Sequence, residues 1–327
     1  MMLRRRDFTL AAFGASACAA APVSFAAQGE WPSRPVRVIV VYPPGGVSDS
    51  TARRLVDPLA ALLGVPVIVE HRAGAGGSVG MDALSRAAPD GYTLAFSAIS
   101  PLTLQPLLAR VGYDALRIAP VASVMRTPVL VVGTPAFAGQ SFDDLIRAAR
   151  ADPGAVRWAT SGVATIGHLV LAQVRLQSHT QITHIPYTGG GPQLNDALSG
   201  QFEVLSTNVA ALQLDYIESG RFKALAVGAP TRLDVLPHVP TLSELGFPGA
   251  NRDSLFGLYA PARTPAPVLR RLNAAVNRVL QDASLQNALR EAHNLPAGGS
   301  AEDFAREIAL DRQRNRALVV GDRAQFD

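Results

Sequence analysis

The chain has 327 residues, 48% of them hydrophobic and 17% charged, which excludes a disordered polypeptide and is long enough for two domains of roughly 100–200 residues each. A net charge of +4 with no basic run argues against nucleic acid as a partner. The single Cys excludes an intramolecular disulfide and a Cys-based structural zinc site, and the single Lys, Lys223, stands in Gly220-Arg221-Phe222-Lys223-Ala224, which is no phosphate-cradling G-x-x-x-x-G-K-[ST] loop.

The first 26 residues read as an export signal. Arg4-Arg5-Arg6-Asp7-Phe8-Thr9-Leu10 is a basic start with a twin-arginine pattern. The apolar, Ala-rich stretch over 10–25 is short for a membrane span, and Ser24-Phe25-Ala26 places small residues where a signal peptidase reads. The alternatives are an N-terminal membrane anchor, or a lipoprotein attached through Cys18, although Ala15-Ser16-Ala17 lacks the Leu expected three residues before that Cys. Cleavage near Ala26 removes Cys18 together with Arg4, Arg5, Arg6 and Asp7, so the net charge falls from +4 to +2. A Cys-free mature chain suits an oxidising periplasm. No later apolar run approaches the roughly 18 residues of a membrane helix, so the mature protein is expected to be soluble.

Strands and helices then alternate. A β-branched run over 36–42 predicts a buried strand, and Pro43-Pro44-Gly45-Gly46 a loop. Ser48 or Asp49 is expected to cap a helix ending near Leu63. A strand over 65–70, a Gly-rich loop, a helix to about Ala88 and a strand over 92–98 follow, an order that argues for a parallel sheet with right-handed crossovers. The middle repeats the scheme. Strands are expected over 128–133, 156–160, 182–187, 202–206 and 224–227; Ser141 with Asp144 opens one helix as a capping box, and another spans 165–177. After a strand over 255–260 the chain turns helical, over 265–281, 285–293 and beyond a second capping box at Ser300 and Asp303. These elements predict domain one over 27–127 plus 253–327 and domain two over 128–252.

Ligands of open α/β sheets bind outside the carboxyl ends of the strands. Five loops there share one chemistry: 43–49, 97–100, 161–165, 188–191 and 207–208. They offer bare backbone N–H groups, hydroxyls and an amide, contain no Lys or Arg, and four of them lead into helices. That is how an anion or carboxylate site is built from main-chain donors and helix dipoles. Gly and Ser that merely satisfy turn geometry would explain any one loop alone.

Other motifs fail. Gly76-Gly77-Ser78-Val79-Gly80 matches G-x-S-x-G literally, but residues 71–75 separate it from the preceding strand, whereas a nucleophile elbow follows its strand directly. Val79 stands where the dinucleotide fingerprint Gly74-Ala75-Gly76-Gly77-Ser78-Val79 needs its third Gly. The six His residues show no metal-binding spacing. His168, one turn into its helix, is read as a structural His that can also reach the loop at Ser161. A hydrolase using Ser78 or Ser161 with His168 is the rival enzymatic reading; no nucleophile–base–orienter spacing supports it.

Several segments together resemble the Bug family of periplasmic solute-binding proteins, receptors of tripartite tricarboxylate transporters. They are Pro43-Pro44-Gly45-Gly46 with Asp49, Ala52 and Arg53; Glu70-His71-Arg72-Ala73-Gly74-Ala75-Gly76-Gly77; Pro89-Asp90-Gly91-Tyr92-Thr93-Leu94; His184-Ile185-Pro186-Tyr187-Thr188-Gly189-Gly190-Gly191-Pro192; Pro237-His238-Val239-Pro240-Thr241-Leu242-Ser243-Glu244; and Ala260-Pro261-Ala262-Arg263-Thr264-Pro265. The similarity runs through essentially the whole mature chain. His71 and Ala73 depart from the family's E-N-R-P-G-A-G-G segment, Glu203 replaces a common Asp, and Leu255 a frequent Trp.

The resemblance implies a two-lobed, Venus-flytrap α/β fold, each lobe a mainly parallel sheet flanked by helices, with a small carboxylate held in the cleft largely by backbone N–H groups. It implies a binding protein rather than an enzyme, without cofactor or metal, a periplasmic location, the permease subunits of the transporter as partners, and a monomer in solution. A sensor feeding a signalling receptor is the alternative use of the same clamp. The ligand positions it implies are Tyr42, Pro43, Pro44, Gly45, Gly46, Asp49, Ser97, Ala98, Ser161, Thr165, Tyr187, Gly189, Gly190, Gly191 and Asn208. Among these, Asp49 is expected to organise its own loop by accepting N–H bonds, since an ionised carboxylate facing an anion is unfavourable.

Overall fold

The computed structural model describes residues 30–320 and Phe326. The export signal, Cys18 and the cleavage region lie outside the described residues.

The first half of the fold opens with β1 (Val36–Val40), α1 (Val47–Leu63), β2 (Val67–His71), α2 (Ser78–Ser85), β3 (Thr93–Ala98) and two single-turn helices, α3 (Ser100–Thr103) and α4 (Gln105–Leu108). β1 lies between β2 and β3, parallel to both. The 16-residue β4 (Ile118–Gly133) then runs on into the second half, which comprises α5 (Phe142–Ala151), β5 (Arg157–Thr160), α6 (Ile166–Ser178), β6 (Thr183–Pro186), α7 (Gly190–Leu198), β7 (Val204–Asn208), α8 (Ala211–Glu218) and β8 (Lys223–Gly228). The chain returns along β9 (Asp253–Pro261) and finishes with α9 (Ala266–Leu280), α10 (Ala283–Glu291), β10 (Leu295–Pro296) and α11 (Ala301–Val320).

The strand order is β2-β1-β3-β9-β4-β7-β5-β6, with β8 and β10 also on β4. Each half keeps a parallel run, β2-β1-β3 in one and β7-β5-β6 in the other. The strands that join the halves are antiparallel: β9 pairs both β3 and β4, and β4 pairs β7. β4 serves both halves. Its residues from Ile118 to Pro128 face β9, and those from Val129 to Gly133 face β7 and β8. Pro128 stands opposite Asp253, so the chain leaves the first half and re-enters it at neighbouring positions.

The second half is built as a sheet between two apolar layers. Trp158, Phe142, Leu145, Val170 and Val174 pack on one face. Phe202, Phe222, Leu194, Leu205 and Val209 pack on the other. A smaller seam links the halves: Leu104, between α3 and α4, meets Ala164, Leu169 and Ala172 of the second half, with Val319 of α11 and Phe326. The Ser141–Asp144 capping box forms as the sequence predicts.

Two sequence expectations need correction. The N-cap of α1 is Gly46 rather than Ser48 or Asp49; Asp49 lies in the first turn and is spent on the preceding loop. The strand expected over 128–133 is only the last third of β4, whose earlier residues include Pro120 and two register shifts that obscure its pattern.

Candidate functional site

One cavity of about 320 Å³ opens between the two halves. Four helices present their first residues to it: Gly46, Val47 and Ser48 at α1; Thr165, Ile166 and Gly167 at α6; Gly190 at α7; and Ala210 and Ala211 at α8. The opening N–H groups of a helix lack intrahelical acceptors and carry the positive end of its dipole. Each such end favours a nearby anion by about 0.3–1 kcal/mol, and up to about 2 kcal/mol when partly buried. The rest of the lining is mostly small, hydroxylated or apolar, including Ser100, Ser161, Ser206, Thr207 and Asn208 beside Val129, Leu194, Leu212 and Phe256. Its charged members are Asp49 and Arg54.

Asp49 is fully committed to its own loop. One oxygen accepts the Gly45 N–H at 3.0 Å, and the other accepts from Arg53 Nε and His71 Nε2, both at 2.8 Å. Burial alone would raise its pKa, but the Gly45 N–H, His71 and Arg53 together hold it below the usual carboxylate value. The carboxylate thus stays ionised while its charge is met from the loop side. Gly45, at φ +85°, supplies the left-handed turn that brings this N–H round.

The loop across the cavity is held differently. Thr165 caps α6 and donates to Gly162 O at 2.8 Å. The Ala164 N–H donates to His168 Nδ1 at 3.0 Å, and His184 Nε2 meets Thr160 Oγ1 at 2.8 Å. The two imidazoles stack at 4.1 Å, with Phe326 edge-on to His168. Burial pushes His168 down to about 3, helped by His184 and Arg175, and pushes His184 down to about 4, helped by Arg175. Both are therefore neutral at ordinary pH, as an imidazole that accepts an N–H must be. His168 is a structural residue of the loop.

Of the residues expected at a ligand, Tyr42, Pro43, Gly45, Gly46, Asp49, Ala98, Ser161, Thr165, Gly190 and Asn208 line the cavity. Pro44, Ser97, Tyr187, Gly189 and Gly191 are not part of this lining. Ser97 is fully buried and donates to the Ala98 carbonyl at 2.8 Å. Tyr187 turns its phenol to Asp196 at 2.6 Å and its ring to Phe202. Gly189 and Gly191 sit where the halves touch. A Cβ on Gly189 would strike the Pro43 ring, and one on Gly191 would lie 2.8 Å from Pro44 O. Tyr42 packs edge-on against Phe256 at 6.2 Å, and burial raises its phenol pKa against hydrogen bonds with Ser97, Ser100 and Ala98.

Sequence reasoning missed Ser254, Phe256, Gln213 and Asn294. Ser254 donates to Asn208 Oδ1 at 2.9 Å and fixes that amide at the cavity wall. The serines of the enzymatic reading are not paired with imidazole: Ser78 donates to Gln105, and His168 Nδ1 is taken by Ala164. Among the described residues no group of three or more His, Cys, Asp or Glu is placed to hold a metal, and no helix is long and apolar enough to cross a membrane.

Comparison with known proteins places this architecture. Protein BugT of Bordetella pertussis is 35% identical over 98% of this chain and 98% of its own length. A solved structure of an R. palustris protein with adipate is 30% identical, covers 88% of this chain and 97% of that one, and superposes with a TM-score of 0.83. MatC from Rhodopseudomonas palustris with bound malate is 27% identical, over 88% of this chain and 99% of that one, also with a TM-score of 0.83. Residues 51–322 match the model of the tripartite tricarboxylate transporter family receptor. The chain is a two-lobed solute-binding protein of the Bug type and belongs to the tripartite tricarboxylate transporter receptor family.

Proposed function

We propose that this protein captures a small organic carboxylate between its lobes in the periplasm and delivers it to the permease subunits of a tripartite transporter. The observation that carries this reading is the convergence of four helix N-termini on one cavity whose acidic residue is already met by Gly45, Arg53 and His71. The relatives solved with adipate and with malate support it. Tyr42, Pro43, Gly45, Gly46, Ala98, Ser161, Thr165, Gly190 and Asn208 form the ligand wall; Asp49 shapes it; Gly189 and Gly191 let the lobes meet.

The lobes are 27–127 plus 253–327 and 128–252, hinged where β4 and β9 cross between them. A ligand touching both walls favours the closed state by its differential contacts, and closure strengthens each charge-assisted hydrogen bond by excluding water. The mature protein begins near residue 27 and acts as a monomer.

The test is a thermal-shift screen of the mature protein, refolded to remove carried-over ligand, against a carboxylate panel. Ligand at 100-fold above Kd adds about 2.7 kcal/mol, and a protein of this size gains roughly 2–4 °C per kcal/mol. A shift of several degrees with particular carboxylates is expected. A folded protein that shifts with none of them would overturn the reading.

A further inference from the structure

The segment Gly74-Ala75-Gly76-Gly77-Ser78 has no part in the cavity lining, yet its backbone is held in an uncommon form. Four consecutive residues, Gly74 to Gly77, have φ of +139°, +45°, +60° and +101°. Ala75 alone among them carries a Cβ, which disfavours a left-handed φ. Such a conformation persists where its surroundings over-determine it. Here one side chain does so. Gln105, which opens α4 and is 2% exposed, commits its whole amide to this turn. Its Nε2 donates to Ala75 O at 3.0 Å and to Gly76 O at 2.7 Å, and its Oε1 accepts from Ser78 Oγ.

The turn lies against the other half. A Cβ on Gly76 would strike Gln105 Nε2 on one side and lie 2.7 Å from Val163 O on the other. A Cβ on Gly162 would lie 3.2 Å from Gly76 Cα. The two backbones therefore meet with no side chain between them, at a second place besides Gly189 and Gly191 against Pro43 and Pro44. Gly162 is itself fixed: its N–H donates to Thr160 Oγ1 at 3.3 Å, and its carbonyl accepts from Thr165 Oγ1 at 2.8 Å. Ser161 and Thr165, which flank this contact in the chain, line the cavity, whereas Gly76 and Gln105 do not. The loop that carries Ser161 and Thr165 to the cavity thus rests on Gly76.

We infer that the Ala75–Gly77 turn is the stop on which the second lobe closes, and that Gln105 is the positioning residue that holds this stop and so sets ligand affinity without touching the ligand. The inference rests on the proposed closure of the lobes. Apparent affinity scales with the fraction of protein able to reach the binding-competent state. Loosening the turn therefore weakens every ligand by one factor, whereas changing a residue of the ligand wall weakens some ligands more than others.

The experiment uses the mature chain from residue 27, which contains no Cys. Asp57→Cys and Asp215→Cys, both at exposed positions, carry one spin label on each lobe. Pulsed EPR reads the distance between them, and calorimetry gives affinities for malate, adipate, citrate and glutamate. Wild type is expected to bind one or more of these acids and to shorten the distance to a narrow distribution. Gln105→Leu is expected to lower affinity by about fivefold or more, by the same factor for each acid that binds, and to broaden the distance distribution of the saturated protein. Gly76→Ala, which leaves Gln105 in the chain and puts a methyl group between the lobes, is expected to lower affinity by about tenfold or more, and keeps the inference testable should Gln105→Leu not fold. A folded Gln105→Leu with a lower melting temperature but unchanged affinities and distances overturns the inference and leaves the carboxylate receptor standing. A loss that differs between acids overturns the assignment of Gln105 to closure, and unchanged affinity in Gly76→Ala overturns the stop. Wild type that binds without shortening the distance overturns lobe closure and this inference together. Wild type that binds none of the four acids overturns the carboxylate receptor, and the inference falls with it.

Discussion

The two walls of the cavity do the same work by opposite means. On the first lobe the Gly45–Gly46 loop is tied by an ionised carboxylate, Asp49, to a backbone N–H, a guanidinium and an imidazole near the surface. On the second lobe the Ser161–Thr165 loop is tied by neutral groups, a Thr cap and the buried imidazole of His168, stacked on the half-buried His184. The first scheme works because Arg53 remains in water, with 60% of its side chain exposed, and needs no desolvation. The second ties its loop with uncharged groups alone. An anion site can therefore be kept free of competing charge either by neutralising a carboxylate from behind or by burying only uncharged groups.

The largest effect should come from closing the distance between the walls. Gly191→Ala places a Cβ against Pro44 O, a backbone atom that cannot step aside. Ligand affinity is expected to fall by about 100-fold, about 2.7 kcal/mol, while the melting temperature without ligand stays near wild type; calorimetry and a melt on the same sample check both. Unchanged affinity would mean the lobes need not meet there.

Acid should break the second wall before the first. The folded-state pKa values of His168 and His184, about 3 and about 4, lie below the unfolded value of roughly 6.5. The unfolded chain therefore binds more protons in that window, and stability is complete above it and declines as pH falls from about 6.5. The slope for His168 is about 1.4 kcal/mol per pH unit. Urea unfolding between pH 7 and 4.5 checks this, and His168→Phe is expected to flatten the slope. Asp49, also depressed, loses its contribution only below the normal carboxylate range, as pH falls through its folded pKa.

Asp49→Ala strikes the first wall. It leaves the Gly45 N–H without its acceptor, and Arg53 and His71 can turn to water, so a loss of about 1–2 kcal/mol is expected in urea titration at pH 7. Gly45→Ala is the mildest change. The space is open, but φ +85° strains any residue with a Cβ, by about 1–2 kcal/mol at most; a small drop in melting temperature and a weaker ligand shift are expected.

The strand-after-helix rhythm was legible because β-branched runs and Gly- or Ser-rich breaks mark it directly, and the Pro43–Gly46 loop announced itself. Asp49 was legible as a loop organiser because a carboxylate facing an anion needs another occupation. Other features were hidden by geometry. Ser254 and Phe256 reach the cavity because β9 is antiparallel to β3 and presents its beginning, where a search of loops after strands does not look. Asn294 belongs to no Gly-rich loop, and its direction depends on a helix termination. Tyr187 belongs to the family's most recognisable segment, yet just past β6 its half-buried ring packs against Phe202 and its hydroxyl faces Asp196.

The pairing of Pro128 with Asp253 has a consequence for how the chain acquires its shape. A segment of well over a hundred residues leaves and returns at adjacent positions. Joining β4 to β9 through an unstructured connection of that length costs about 3 kcal/mol more in chain entropy than closing a loop of about five residues. If the intervening lobe forms first, its own core brings the two ends together and that entropic cost disappears. On the lobe division proposed above, the first lobe is then expected to assemble second, and refolding followed at both lobes is expected to show the cleft appearing last.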